Sequence, residues 1–312
     1  MKVLVTGGAG FIGSHITDQL IESGLEVVVL DNLSSGKRES VNPRARLYEA
    51  DICEPGLRAL FEQERFDCVD HHAAQMNVRR SVEDPVFDAR VNILGSLNLL
   101  QAAVSTGVTK FVFASTGGAI YGEQLAFPAD ETHQTSPMSP YGVAKLAVEK
   151  YLAFYAEVYG LSYTALRYAN VYGPRQDPHG EAGVVAIFSQ RLLAHEPAII
   201  NGDGEQTRDF IYVDDVVRAN VLAVTTALGG VYNVGTGAET SVNTLYAYLA
   251  KHAGSTLAPC HGPAKAGEQR RSVLDCRKLH NATNWTPTVA LDEGLRRTLA
   301  YFAAPTSRRK TT

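Results

Sequence analysis

Val5-Thr6-Gly7-Gly8-Ala9-Gly10-Phe11-Ile12-Gly13-Ser14 is the stretch on which the fold turns. Immediately before it, Lys2 to Thr6 is short, apolar and β-branched, the composition of a buried strand. After it, Ser14 to Ser23 reads as a helix that stops at Gly24, and Glu26 to Leu30 reads as a second buried strand. Strand, glycine turn, helix and strand make a β-α-β unit. Its turn can be read as Gly8-x-Gly10-x-x-Gly13 or as Gly7-x-x-Gly10-x-x-Gly13. Glycine at these positions permits a sharp turn, brings the backbone close to a pyrophosphate and lets helix pack tightly on strand. The helix start adds unpaired N–H groups and partial positive charge. Asp31 closes the second strand. A carboxylate there can accept hydrogen bonds from the adenosine ribose hydroxyls and would repel a 2′-phosphate, so NAD is expected rather than NADP.

The rhythm continues along the chain. Phe66 to Val69, Phe111 to Ala114 and Tyr163 to Leu166 read as strands, and Phe87 to Thr106 and Tyr141 to Tyr159 as long helices ended by Gly107 and Gly160. This alternation predicts an α/β fold with a doubly wound, mostly parallel (Rossmann) sheet and helices on both faces. After about residue 170 the pattern changes. A loop rich in Gly, Pro and charge runs from Pro174 to Gly183, with helices expected over Ala186 to Ala194, Thr240 to Gly254 and Leu291 to Phe302. Short strands are expected at Ile199-Ile200 and Phe210 to Tyr212. The reading is an NAD-binding domain over 1–170 with return segments at about 210–237, and a smaller substrate lobe mainly over 171–312.

The 312 residues hold 29 Lys and Arg against 33 Asp and Glu, a net charge of -4 with no basic stripe, so no nucleic-acid partner is expected. Arg308-Arg309-Lys310 lies in a polar tail and reads as a solvated end. No apolar run is long enough to span a membrane, and the first apolar stretch ends at Gly7, too soon for a secretory signal. Cys53, Cys68, Cys260 and Cys276 show no C-x-x-C spacing. They read as reduced thiols of a cytoplasmic protein, and no metal site is expected.

Chemistry enters at Tyr141-Gly142-Val143-Ala144-Lys145. Residues four apart share a helix face. A nearby ammonium and a bound nicotinamide cation would favour the phenolate, so Tyr141 can take a hydroxyl proton as hydride leaves the same carbon. Ala114-Ser115-Thr116-Gly117-Gly118 stands at the carboxyl end of a strand, where such sheets bind ligands; Ser115 or Thr116 could bond the reacting oxygen. Asp51-Ile52 follows a third strand, where an acid could meet the adenine amino group. Ala73-Ala74 follow the fourth, where small residues admit a cofactor. His71 and His72, at that strand's end, read as packing residues.

Together with Arg167-Tyr168-Ala169-Asn170-Val171-Tyr172-Gly173-Pro174, Arg208-Asp209-Phe210-Ile211-Tyr212-Val213-Asp214-Asp215 and Tyr232-Asn233-Val234-Gly235-Thr236-Gly237, these motifs resemble the extended short-chain dehydrogenase/reductase family over nearly the whole chain. The likeness is closest to its UDP-glucose 4-epimerases. The resemblance implies Thr116 as the catalytic hydroxyl, Tyr141 as the base, and Lys145 as the residue holding ribose and base. It extends the cofactor set to Phe11, Ile12, Asn32 and Asn92. For substrate it implies Asn170 as a diphosphate ligand, Val184 as a contact, and Arg208 as a bidentate phosphate clamp. Lys265-Ala266-Gly267-Glu268 is similar to the family's Arg-x-Gly-Asp element with both charged positions changed; the signs survive, and Arg271 stands near enough to substitute for Lys265.

The family's dehydratases carry an Asp-Glu pair after the Thr, and its decarboxylases a Glu. Here Gly117-Gly118 follow, in a loop one residue longer than in some epimerases. The resemblance therefore implies epimerisation of a UDP-hexose by transient oxidation at sugar C4, with NAD regenerated in each cycle. A small residue, Ser272, falls where the family gates entry of N-acetylated sugars. Two alternatives stay open: epimerisation of another UDP-sugar such as UDP-glucuronate, and a non-catalytic NAD-binding protein. A homodimer through the helices at about 87–106 and 141–159 is also implied.

Overall fold

The computed structural model describes residues 1–178, 183–264 and 269–304. In chain order the elements begin β1 (Lys2–Thr6), α1 (Phe11–Glu22), β2 (Glu26–Asp31), β3 (Arg46–Glu49), α2 (Leu57–Glu64), β4 (Cys68–His71), α3 (Val78–Glu83), α4 (Pro85–Ala89) and α5 (Gly95–Thr106). They continue with β5 (Lys110–Thr116), α6 (Gly117–Ile120), α7 (Pro140–Tyr159), β6 (Ser162–Tyr168), β7 (Asn170–Tyr172), α8 (Val184–Leu193), β8 (Ile199–Asn201), β9 (Thr207–Tyr212) and α9 (Val213–Thr225). The last are β10 (Gly230–Val234), β11 (Glu239–Ser241), α10 (Val242–Ala253), β12 (Cys260–Gly262), β13 (Arg271–Ser272), α11 (Arg277–Thr283) and α12 (Leu291–Ala303).

Seven strands form one sheet in the order β10-β6-β5-β4-β1-β2-β3. The pairs β3–β2, β2–β1, β1–β4 and β4–β5 are parallel. Such strands lie between two layers of helices, which is why they read as unbroken apolar runs. Val3, Leu4 and Val5 of β1 and Phe111 and Val112 of β5 are fully buried. The expected doubly wound α/β fold is what the chain adopts.

The chain divides into two compact units. The first comprises Met1–Ile120, Pro137–Arg167 and Val217–Tyr232; the second comprises Tyr121–Ser136, Tyr168–Val216 and the chain from Asn233 onward. In the first, Leu4, Leu30, Val69, Phe113 and Ala165 of the sheet share a core with Leu57, Phe61, Leu99, Val148 and Leu152 of the helices. In the second, β9 pairs with β11, β13 and β7, and β8 with β12. The motif acids of this unit are anchors. Asp209, 1% exposed, accepts from Thr236 N at 2.8 Å, Thr236 Oγ1 at 2.6 Å and Gly237 N at 3.0 Å. Asp215, fully buried, accepts from Thr288 N at 3.0 Å and Val289 N at 3.1 Å.

Two sequence readings change. The helix expected over 87–106 is α4, a π-helical turn over Arg90–Leu94, and α5. The extra backbone residue in a π turn re-aims the side chains it carries, and Asn92 is one of them. The loop at Gly117-Gly118-Ala119 is the helical turn α6.

Candidate active site

The glycine turn of the first unit is built by near-contact of backbone on backbone. A Cβ at Gly13 would lie 2.4 Å from Gly7 O, and one at Gly7, whose φ is +70°, would lie 2.6 Å from Ala73 N. Real Cβ atoms cannot stand so close, so the turn is set against the backbone that leaves β4 only because both residues are glycine. Gly10 caps α1 without a side-chain hydrogen bond. The amides of Phe11, Ile12 and Gly13 have no intrahelical acceptor, because the first turn of any helix lacks one. A bare, positively polarised helix start behind a glycine cradle fits a pyrophosphate.

Asp31, 6% exposed, ends β2; its Oδ2 accepts from Ala9 N at 2.9 Å and its Oδ1 from Leu33 N at 2.8 Å. These bonds fix the carboxylate beside the glycine turn. The exposed Asn32 donates through Nδ2 to Asp51 Oδ2 at 2.8 Å, and Asp51 Oδ1 accepts from Cys53 N at 2.8 Å. Ile52 is buried. Ala73 donates its N–H to Thr6 Oγ1 at 3.2 Å, and Ala74 follows, half-buried. Asn92 is buried and holds the segment after these alanines: its Oδ1 accepts from Gln75 N at 2.9 Å and its Nδ2 donates to Gln75 O at 2.9 Å. His71 is buried between Thr6 Oγ1 at 2.7 Å and Ser96 Oγ at 2.9 Å, and His72 Nε2 meets Asp70 Oδ1 at 2.9 Å, the packing roles expected.

Tyr141 and Lys145 open α7. Ser139 caps this helix, its Oγ accepting from Gly142 N at 3.2 Å, and Pro140 starts it. Glycine at 142 is required because a Cβ there would lie 2.6 Å from Ala119 O of α6. Lys145, 4% exposed, donates from Nζ to Ala114 O at 2.8 Å and lies 4.7 Å from the centroid of Phe113 and 5.7 Å from that of Tyr141. Burial brings its ammonium down to about 8, against the carboxylates of Asp88 and Glu149, which hold it up. Tyr141 keeps some surface open to solvent, yet burial first and Asp88 second push its phenol up. The expectation of a lowered phenol is thus not met by the protein's own groups. The chain alone keeps the proton on Tyr141.

Two hydroxyls at the end of β5 are candidates, and neighbouring strand residues point to opposite faces. Ser115 is buried and donates to Glu149 Oε1 at 2.6 Å. Thr116 is half-buried, and its hydroxyl makes no hydrogen bond among the described residues. Thr116 is therefore the one of the two hydroxyls that is not bonded inward among the described residues.

The sequence reading missed Asp88. It is 1% exposed, its Oδ1 accepts from Gln75 Nε2 at 3.0 Å and Asn92 Nδ2 at 2.9 Å, and its Oδ2 is buried with no partner among the described residues. No motif marks it. Its position after Pro85 reads as a helix-start acid.

In the second unit, Asn170 starts β7 opposite Phe210, and Val184 starts α8; both are half-buried. Arg208 lies on β9, between Thr240 of β11 and Ser272 of β13 in register, and donates from Nη1 to Thr207 O at 2.8 Å. Lys265 and Glu268 lie outside the described residues. Arg271 is gripped by Glu239, Nε to Oε2 at 2.9 Å and Nη2 to Oε1 at 2.6 Å, and stacks 3.8 Å over the Phe127 ring. A fork already filled by a carboxylate is not a vacant phosphate clamp, so the suggested substitution of Arg271 for Lys265 finds no support in this geometry.

The UDP-glucose 4-epimerase of Mycolicibacterium smegmatis is 46% identical over 308 residues, 97% of this chain and 98% of that protein. The crystal structure of UDP-glucose 4-epimerase from Thermotoga maritima with UDP-glucose has a TM-score of 0.95 and 53% identity over 97% of this chain and 98% of that one. The Thermus thermophilus UDP-glucose 4-epimerase in complex with NAD has a TM-score of 0.92 and 49% identity over 97% and 99%. Residues 3–235 match the description "NAD dependent epimerase/dehydratase family". With its glycine cradle, Asp31 and the Tyr141–Lys145 pair, the chain belongs to the NAD dependent epimerase/dehydratase family.

Proposed function

We propose that this chain is an NAD-dependent 4-epimerase that interconverts UDP-glucose and UDP-galactose. The observation that carries the reading is the end of β5 and the start of α7 in the first unit: a Thr116 hydroxyl with no hydrogen-bond partner among the described residues, the half-open Tyr141 phenol, the buried Lys145 ammonium, and glycines at 117 and 118 in place of acids.

Bound NAD would supply the hydride acceptor for sugar C4 and the hydride returned to the other face of that carbon. The glycine turn, the amides of Phe11 to Gly13, Asp31, Asn32, Asp51-Ile52, Ala73-Ala74 and Asn92 are assigned to holding it. Thr116 donates to the sugar O4 and aligns it. Tyr141 takes the O4 proton as the C4 hydride departs and gives it back when the alcohol is remade. Lys145 supplies positive charge beside the phenolate. With no carboxylate at 117 or 118, nothing at that turn removes a proton from C5 or protonates a leaving hydroxyl at C6, so the 4-keto sugar goes on to the epimer.

The NAD role is assigned to the first unit and the nucleotide-sugar role to the second. There Asn170, Val184 and Arg208 are assigned to the UDP moiety, and Arg208 is the phosphate ligand. Lys265 and Glu268 complete that set by their place in the sequence. Buried Ser272 is small, and room for an N-acetyl group rests on it. A homodimer is supported by apolar surface left open on α7 and its neighbours: Val143 is 51% exposed, Phe154 50%, Val158 55%, Val86 77% and Leu94 59%. Four unpaired cysteines fit a reducing cytoplasm. No helix among the described residues is long and apolar enough to cross a membrane.

Tyr141→Phe tests the assignment of the base. It is expected to lower kcat roughly a hundredfold to ten-thousandfold while bound NAD stays at the wild-type level. Retained turnover would remove Tyr141 as the base. Product analysis with UDP-galactose, UDP-N-acetylgalactosamine and UDP-galacturonate settles the sugar range.

A further inference from the structure

The end of β5 is tied to α7 twice within two residues. Lys145 Nζ donates to Ala114 O at 2.8 Å, and Ser115 Oγ donates to Glu149 Oε1 at 2.6 Å. Glu149 stands one turn beyond Lys145, as Lys145 stands one turn beyond Tyr141, so the three share a helix face. Glu149 is 4% exposed and is itself held: Arg167 of β6, 5% exposed, donates from Nε to Oε1 at 2.9 Å and from Nη2 to Oε2 at 2.6 Å. A buried ion pair is expensive, and replacing one with apolar residues is often neutral or stabilising. Stability alone is a poor reason to keep this one. Its carboxylate touches the segment whose placement matters most. Thr116 is the next residue along β5, and the spacing of its hydroxyl from Tyr141 depends on how β5 and α7 are locked together.

We propose that Glu149, held by Arg167, is a positioning residue for hydride transfer: by gripping Ser115 it locks the end of β5 that carries Thr116 to the helix that carries Tyr141 and Lys145. The proposal rests on the reading of Thr116, Tyr141 and Lys145 given above. Glu149 also adds negative charge near the Lys145 ammonium and helps to hold it up. The other groups that bear on Lys145 are Tyr141 on α7, Asp88 on α4 and His71 on β4; burial keeps His71 neutral, and Arg167 faces Glu149.

Two variants of the full chain separate grip from charge. Glu149→Gln keeps an acceptor for Ser115 and removes the charge. Glu149→Met/Arg167→Met removes the grip together with both members of the buried ion pair, so it is the variant expected to fold. For the double variant, kcat with UDP-galactose is expected to fall roughly tenfold or more. KM should stay within about twofold, because only the reacting geometry is disturbed. For Glu149→Gln, the alkaline limb of kcat is expected to move to lower pH. The NMR titration of the Lys145 side chain, assigned by Lys145→Arg, should move down with it from about 8.

A folded double variant with wild-type kcat overturns the proposal. So does a fall in kcat matched by a rise in KM. The Lys145 titration needs no turnover. If the wild-type chain does not convert UDP-galactose, the functional reading fails, and the titration still decides whether Glu149 acts on Lys145.

Discussion

The Asp88 carboxylate, buried and with one oxygen unpartnered among the described residues, favours the protonated form of both Tyr141 and Lys145. Asp88→Asn is therefore expected to move both limbs of the kcat–pH profile to lower pH. The acid limb moves because the phenol then gives up its proton more readily, and the alkaline limb because the ammonium, held at about 8 in wild type, is lost sooner. Limbs that stay in place would detach Asp88 from the pair. At this scale the sequence is unevenly legible. Tyr141 and Lys145 announce themselves by their spacing. Ser115 and Thr116 do not separate on paper, because which of two adjacent hydroxyls is bonded inward is settled by Glu149, a residue 34 positions away in the chain. Glu149 itself hides among helix carboxylates, which mostly face water.

Among the elements, α7 carries its own punctuation. Ser139, Pro140 and Gly160, at φ +69°, mark both ends as plainly in the sequence as in the structure. Ser139→Ala removes the cap and is expected to cost about 1 kcal/mol of stability, read as a lower melting temperature with unchanged NAD content. Gly142→Ala is a harsher change. Its Cβ would meet Ala119 O at 2.6 Å, so α6 or the first turn of α7 must give way. The variant is expected to lose about 1–3 kcal/mol of stability and most of its turnover, since Tyr141 stands on that turn; a thermal melt and a kcat measurement check both. The break at Arg90–Leu94 is not legible in the sequence. A π turn shifts the apolar pattern too little to stand out from an α-helix over one turn, and the bond that Asn92 makes from it to Gln75 is tertiary.

For the whole molecule, the first β-α-β unit and the alternation after it fix the parallel sheet, and most strands expected there are present. The strand β10 does not read as one from local pattern, although Tyr232-Asn233-Val234 stands out as a motif. Joining β10 to the sheet depends on β6, far back in the chain, and local pattern carries no such information. The nucleotide set is the least legible part: Lys265 and Glu268 lie outside the described residues, and Arg271 is bound to Glu239. The proposed dimer has a direct check. Phe154→Glu/Val158→Glu puts charge on the open face of α7 and is expected to halve the mass seen by light scattering, whereas a wild-type monomer would remove the proposal. The most direct test of the function is conversion of UDP-galactose by the purified chain with no NAD added. UDP-glucose is expected to form until the mixture reaches the same UDP-glucose to UDP-galactose ratio that is reached from UDP-glucose, with no net NADH released. No conversion by an NAD-loaded protein, or release of a 4-keto or dehydrated sugar as the product, would contradict it.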